Sequence, residues 1–132
     1  METVPRLYAT VRPQANYHRS LAVIKHITDT EPQMLTKSGL MLGLGETDQE
    51  VEQVLKDLRK ARCRMITMGQ YLQPTPAHHS VVRYVPPEEF ENWHNIALSM
   101  GFDQAACSPL TRSSYLAHEI FNRTIINRTP IP

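Results

Sequence analysis

Three short apolar runs separated by amphipathic stretches constrain this chain more than any other feature. Leu40-Met-Leu, flanked by glycines, and Met65-Ile-Thr-Met-Gly lack a 3.6-residue period and read as buried strands, and Ala105-Ala-Cys reads as a shorter third. Helical patterns lie before and between them. The order is helix, strand, helix, strand, helix, strand, which predicts right-handed βαβ units on a parallel sheet, an α/β fold. Two or three such units cannot close a barrel, and their parallel edges would stay unpaired. The pattern therefore describes half of something larger.

The first helix is expected from the cap Asn16 to about Thr28, with Leu21, Ile24 and Ile27 as its apolar stripe, and Thr30-Glu-Pro-Gln breaks it. The first strand is expected over Met34 to Leu44. The second helix is the best specified. Thr47 and Glu50 form a capping box, Val51, Val54, Leu55 and Leu58 recur at i, i+3, i+4 and i+7, and Arg62 and Arg64 close it. A loop rich in proline and histidine, Gln70 to Pro87, leads to Pro86-Pro-Glu-Glu at the head of a third helix. Its face carries Phe90, Trp93, Ala97 and Met100, and Gly101 ends it. Residues 1–15 begin abruptly, so an upstream segment is expected, and the end from Asn122 reads as a frayed tail.

Composition excludes several classes. A net charge of +1 gives no basic field for nucleic acid or an anionic membrane, and no apolar run reaches spanning length. Cys63 and Cys107 form no C-x-x-C pair and read as buried thiols in a reducing compartment. Without a secretion signal, the sequons at Asn122 and Asn127 read as chance. His78 and His79 are adjacent and point apart, and the other histidines lack an i, i+4 partner, so histidine metal binding is not expected.

In parallel sheets, ligands gather at the carboxyl ends of the strands. Those ends here are Gly43-Leu-Gly-Glu and Gly69-Gln-Tyr-Leu-Gln-Pro. At Gly43-Leu-Gly-Glu the glycines permit close approach and the helix N-terminus favours an anion. A tight βα turn explains the same residues, and neither a third glycine nor a P-loop lysine follows. Alternation puts Lys37 and Gly39 on one face of the strand, where a lysine would line a barrel interior. Arg112-Ser-Ser-Tyr gathers a guanidinium, two hydroxyls and a phenol, and taken alone it reads as a helix N-cap at Ser113 or Ser114. The residues by themselves name no reaction.

In order and with matching spacing over residues 2 to 117, the chain resembles the lipoyl synthase family. The matching runs are Glu2-Thr-Val-Pro-Arg-Leu-Tyr, Val11-Arg-Pro, Tyr17 with Arg19-Ser-Leu, and Thr36-Lys-Ser-Gly-Leu-Met-Leu-Gly-Leu-Gly-Glu-Thr. They continue with Gly69-Gln-Tyr-Leu-Gln-Pro, Arg83-Tyr-Val, Met100-Gly-Phe and Arg112-Ser-Ser-Tyr. The resemblance implies radical S-adenosylmethionine chemistry that inserts sulfur at C6 and C8 of a protein-bound octanoyl chain. It implies two 4Fe-4S clusters. One cleaves S-adenosylmethionine and takes cysteines from a C-x3-C-x2-C motif. The other is the sulfur source, held by C-x4-C-x5-C cysteines and a serine of the terminal motif. The implied fold is the second half of a partial (βα)6 TIM-like barrel over residues 1–102. A C-terminal segment, 103–121, carries Arg112-Ser-Ser-Tyr, and 122–132 is the tail.

Carried over residue by residue, Ser114 is the implied iron ligand, with Arg112 and Tyr115 in support. Glu2, Lys37, Ser38, Gly43, Gly45, Glu46, Gln70 and Leu72 are the implied S-adenosylmethionine-binding residues. The implied partners are octanoylated lipoyl domains or H protein, an iron–sulfur carrier, an electron donor and an N-terminal half bearing the cysteines. The implied compartment is bacterial cytoplasm, or the mitochondrial matrix in a eukaryote. The chain departs from the family in lacking both cysteine motifs, in Thr75-Pro-Ala-His-His where a more basic stretch is usual, in Ser108 where glycine usually precedes the proline, and in its segment after Tyr115. Taken alone, the chain is expected to hold no cluster and to be inactive. Two other readings stand beside the enzyme: a non-catalytic half-barrel from a truncated or split gene that needs an N-terminal partner, and a generic anion-binding α/β module.

Overall fold

The structure, a computed structural model, describes residues 2–112. A 3-10 turn, Pro5–Leu7, runs into the one-turn helix α1 (Tyr8–Val11). Then follow α2 (Tyr17–Thr30), β1 (Lys37–Leu42), α3 (Asp48–Lys60), β2 (Met65–Gln70), α4 (Pro87–Ser99) and β3 (Gln104–Cys107). The three strands form one parallel sheet in the order β1-β2-β3, with Lys37 opposite Met65 and Met65 opposite Gln104. This is the α/β alternation expected from the sequence, realised as two βαβ units.

Local chemistry sets the helix ends. The Asn16 side chain accepts the Arg19 N–H at the start of α2. At α3 the capping box is complete: the Glu50 N–H donates to the Thr47 hydroxyl at 3.2 Å, and the Thr47 N–H donates to the Glu50 carboxylate at 2.9 Å. Two ends differ from expectation. β1 is shorter than Met34 to Leu44, because a turn from Glu31 to Met34 precedes it and Gly43, at φ 97°, bends the chain out of the sheet. The turn and short helix over residues 5–11 were not anticipated; Pro5 supplies the preset φ at the head of that turn.

One face of the sheet holds the core. Leu40 and Leu42 of β1, Ile66 and Met68 of β2 and Ala105 of β3 pack with Val51, Val54, Leu55 and Leu58 of α3 and with Phe90, Trp93 and Ala97 of α4. The four α3 side chains are at most 2% exposed. Burying each contributes about 1.5–3 kcal/mol, and Leu55→Ala would cost about 2–5 kcal/mol. Among the described residues no helix covers the opposite face at β1: Lys37, Gly39 and Met41 alternate with the core positions and are only partly covered. β2 is buried at all six positions, so something covers its second face as well. That cover is the segment after β3.

Candidate functional site

The face of the sheet away from α3 and α4 forms a cleft of about 240 Å³, lined by Lys37, Gly39 and Met41 of β1, Thr67 and Gly69 of β2, and Glu2, Arg12, Thr111 and Arg112 from flanking segments. Three cationic side chains there face one carboxylate, and Arg12 approaches Glu2 at 3.9 Å. The Glu2 carbonyl accepts the Met41 N–H at 2.9 Å, so the N-terminal segment runs beside the edge of β1. A second groove of about 380 Å³ meets the cleft at Glu2 and Met41. It lies at the carboxyl ends of β1 and β2, where Leu44, Tyr71, Leu72, Pro74, His78 and His79 give it an apolar and aromatic wall.

The turn after β1 is held from several sides. The Glu46 carboxylate accepts the Gly43 N–H at 3.1 Å and the Leu44 N–H at 3.0 Å. Arg6 donates to the Gly45 carbonyl at 2.7 Å and to Glu50, whose carboxyl it holds below the usual range. The Gly43 carbonyl accepts Val82 N–H at 2.8 Å. A Cβ on Gly43 would lie 2.4 Å from the Arg83 carbonyl oxygen, which is why this position has none. The anion favoured by the turn is thus supplied by the chain itself.

Gln70 is 4% exposed and its amide is fully used. It donates to the carbonyls of Tyr71 and Arg83 at 2.9 and 3.0 Å and accepts Val85 N–H at 2.8 Å. Its side chain therefore fastens the long loop between β2 and α4. His79 tightens the same loop, its Nε2 lying 2.9 Å from the Leu44 carbonyl. His78 pairs instead with the Thr75 hydroxyl, so the two histidines do point apart.

After β3 the chain turns across the inner side of β2. The Ser108 N–H donates to the Met68 carbonyl and the Gln70 N–H to the Pro109 carbonyl, both at 3.2 Å. The Ser108 and Thr111 hydroxyls lie 2.7 Å apart, and Arg112 folds back to donate to the Thr111 carbonyl at 2.8 Å. This strap, residues 108–112, brings Arg112 to the cleft.

The structure places the residues singled out from the sequence in different settings. Glu2 and Lys37 border the inner cleft, Glu2 and Leu72 border the outer groove, and Gly43, Gly45 and Glu46 build the turn between β1 and α3. Ser38 borders the cleft through its strand but alternates to the buried side. Gln70 lies under the loop. Ser114 and Tyr115 lie outside the described residues. Arg12, Thr67, Gly69 and Thr111 line the cleft and were not singled out as site residues. A glycine inside an apolar strand pattern marks close backbone approach, so Gly69 carried a readable signal.

Among the described residues, no cluster of three or more His, Cys, Asp or Glu side chains could hold a metal ion. Cys63 is fully buried and burial raises its thiol pKa. Burial pushes Cys107 up to about 12. Neither thiol is poised to ionise.

No protein-family model matches the chain. Curated relatives do. The lipoyl synthase of Nitrosomonas eutropha is 53% identical over 119 residues, 90% of this chain and 38% of its own length. That of Syntrophotalea carbinolica is 56% identical over 117 residues, and that of Caldanaerobacter subterraneus 52% over 117 residues. By that match the chain is similar to lipoyl synthases, over the C-terminal half of those proteins. It spans about two-fifths of the length of those lipoyl synthases. The lipoyl synthase match runs over nine-tenths of the chain.

Proposed function

We propose that this chain is the C-terminal portion of a lipoyl synthase, a sulfurtransferase that inserts two sulfur atoms at C6 and C8 of a protein-bound octanoyl chain. The identity of 52–56% with lipoyl synthases over some nine-tenths of the chain carries the reading. The three-stranded parallel sheet supports a larger partial (βα)6 barrel, in which β1–β3 are the later strands and residues 103–121 a C-terminal segment.

The two clefts suit S-adenosylmethionine. Lys37, Arg12 and Arg112 can hold its carboxylate and Glu2 its ammonium, while Tyr71, Leu72 and Leu44 give the adenine an apolar wall. Bound there, the cofactor would supply the 5′-deoxyadenosyl radical that takes hydrogen from the octanoyl chain. The chain's own residues bind and orient. The Glu46 carboxylate keeps the turn rigid, and Gln70 holds the loop over the carboxyl ends of the strands. The described residues do not fit either 4Fe-4S cluster. In this reading the cysteine ligands come from an N-terminal half and Ser114 completes the auxiliary cluster. Octanoylated lipoyl domains or H protein are the substrates, with an electron donor and an iron–sulfur carrier as further partners, in bacterial cytoplasm or the mitochondrial matrix.

A chimera tests this directly. Replacing the matching segment of a lipoyl synthase of established activity with this chain should give a cluster-loaded protein that lipoylates octanoyl-H protein. A chimera that loads both clusters and makes no lipoyl group would sink the reading. A second reading, a half-barrel that acts only with a separate N-terminal partner, draws on the sheet edges at β1 and β3. It predicts that the chain alone takes up no stoichiometric iron–sulfur cluster on anaerobic reconstitution.

A further inference from the structure

We propose that the half-covered flank of α2 and the outer edge of β1 form one seat, filled by a strand and helix of the same polypeptide directly upstream of Glu2. The inference rests on the reading of this chain as the C-terminal portion of a lipoyl synthase, and goes beyond it in naming the surface that receives the rest. α2 and α3 are covered to different extents. The four apolar side chains of α3 are at most 2% exposed. α2 is buried only near its ends, at Tyr17, whose hydroxyl donates to Asp57 of α3 at 2.6 Å, and at Thr28, whose hydroxyl donates to the Ala61 carbonyl at 2.9 Å. Leu21 and Ile24 lie between them on the same helical face and are only partly buried, at the margin of the core. One flank of that face carries Asp29, which pairs with Arg62 just after α3. The other flank carries Ile27, partly covered, and Val23, 54% exposed.

A crossover helix covers the two parallel strands that it joins. β1 is one of them. Glu2 marks the place of the other, because its carbonyl accepts the Met41 N–H at 2.9 Å. The Leu42 carbonyl points the opposite way, to the Tyr71 N–H beside β2, so alternation aims the N–H and carbonyl of Gly39 at the same outer edge as Met41. A strand running into Glu2 parallel to β1 would pair with Gly39 and pass beneath Leu21 and Ile24, and α2 would be its right-handed crossover to β1. The helix before that strand would lie against Val23 and Ile27. Thr3 and Thr36, which flank this edge in sequence, hold buried hydroxyls with no partner among the described residues, as expected where a neighbouring segment supplies it. In the relatives the matching segment makes up 38–41% of the length and falls in the C-terminal half, so ample chain precedes it there.

The test compares the chain alone with a joined protein in which the N-terminal portion of the Nitrosomonas eutropha lipoyl synthase runs directly into Glu2. The Gly39 amide should exchange roughly 100-fold more slowly in the joined protein, while amides of the central strand β2 change little. Urea denaturation of the joined protein is the second readout, and it needs no fold from the chain alone. Val23→Asp should lower the midpoint by about 1 M, because it places a charge beneath the upstream helix. His26→Asp, on the exposed face of α2, should leave the midpoint where it was. A Val23→Asp protein that fails to fold beside a folded His26→Asp reports the same loss. Gly39 exchange as fast in the joined protein as in the chain alone, or equal midpoints for the two variants, overturns the seat. The reading beneath it fails separately, if the joined protein loads its clusters and makes no lipoyl group.

Discussion

The carboxylate of Glu46 turns back on the N–H of Gly43, 3.1 Å away, and fills the concave turn that opens α3. A glycine turn at a helix N-terminus is ordinarily a place for a bound anion. Here the donors are already taken. Glu46→Ala should therefore destabilise the fold by about 1–2 kcal/mol, the worth of charge-assisted hydrogen bonds at a half-exposed site. Urea denaturation measures it, and an unchanged midpoint would show that the turn holds without the carboxylate.

The two glycines of this turn should respond differently to alanine. Gly43 and Gly45 both have positive φ, 97° and 109°. A Cβ at Gly45 meets only the Val82 side chain at 3.5 Å, an ordinary contact, so Gly45→Ala should cost about 1–2 kcal/mol for backbone conformation. At Gly43 the Arg83 carbonyl and the Gln70 amide both lie 2.4 Å from the added atom. Gly43→Ala should cost clearly more, and should loosen the loop after β2 as seen by faster proteolysis between residues 72 and 82. Equal midpoints for the two variants would contradict the packing.

How much of this was legible depends on how local the interaction is. The α3 capping box and its apolar spacing lie within a dozen residues, and the structure reproduces both. The parallel α/β sheet follows from alternation alone. The ends of β1 were not readable, since Gly43 turning out of the sheet depends on Val82 and Arg83, some forty residues further on. Gln70 looked like a ligand-facing strand end because nothing nearby shows that Arg83 and Val85 return to consume its amide. Likewise the crossing of Thr111 over Gly69 joins residues forty-two positions apart, and only the lone glycine in β2 hinted at it. The cationic lining of the cleft gathers Arg12, Lys37 and Arg112 from three separate segments.

Gln70→Ala should be the costliest polar change near the strand ends. It leaves the Val85 N–H and the Arg83 carbonyl without their partner in a buried setting. Unsatisfied groups of this kind cost about 1–3 kcal/mol each. A loss of about 2–4 kcal/mol is expected by chemical denaturation, with Val85 the first amide to lose exchange protection. Retained protection at Val85 would mean that the loop is held by other contacts.

The alkaline side of the stability profile should be set by buried and half-buried acids that are neutral when protonated. Burial pushes the Cys107 thiol from 9.0 up to about 12 and raises Cys63 from the same ordinary value. Burial also raises the Tyr17 phenol above 10.0, aided by its hydrogen bond to the Asp57 carboxylate at 2.6 Å and by that group's charge. In each case the unfolded chain gives up its proton first. The stability from these groups is therefore complete below about pH 9 and declines as pH rises, through 9 to 12 for Cys107 and from 10 upward for Tyr17. Denaturation midpoints measured from pH 7 to 11 should show this fall. Cys107→Ala should flatten the part that begins near pH 9, and Tyr17→Phe the part that begins near pH 10. Profiles with the wild-type slope in both variants would place the alkaline loss on other groups.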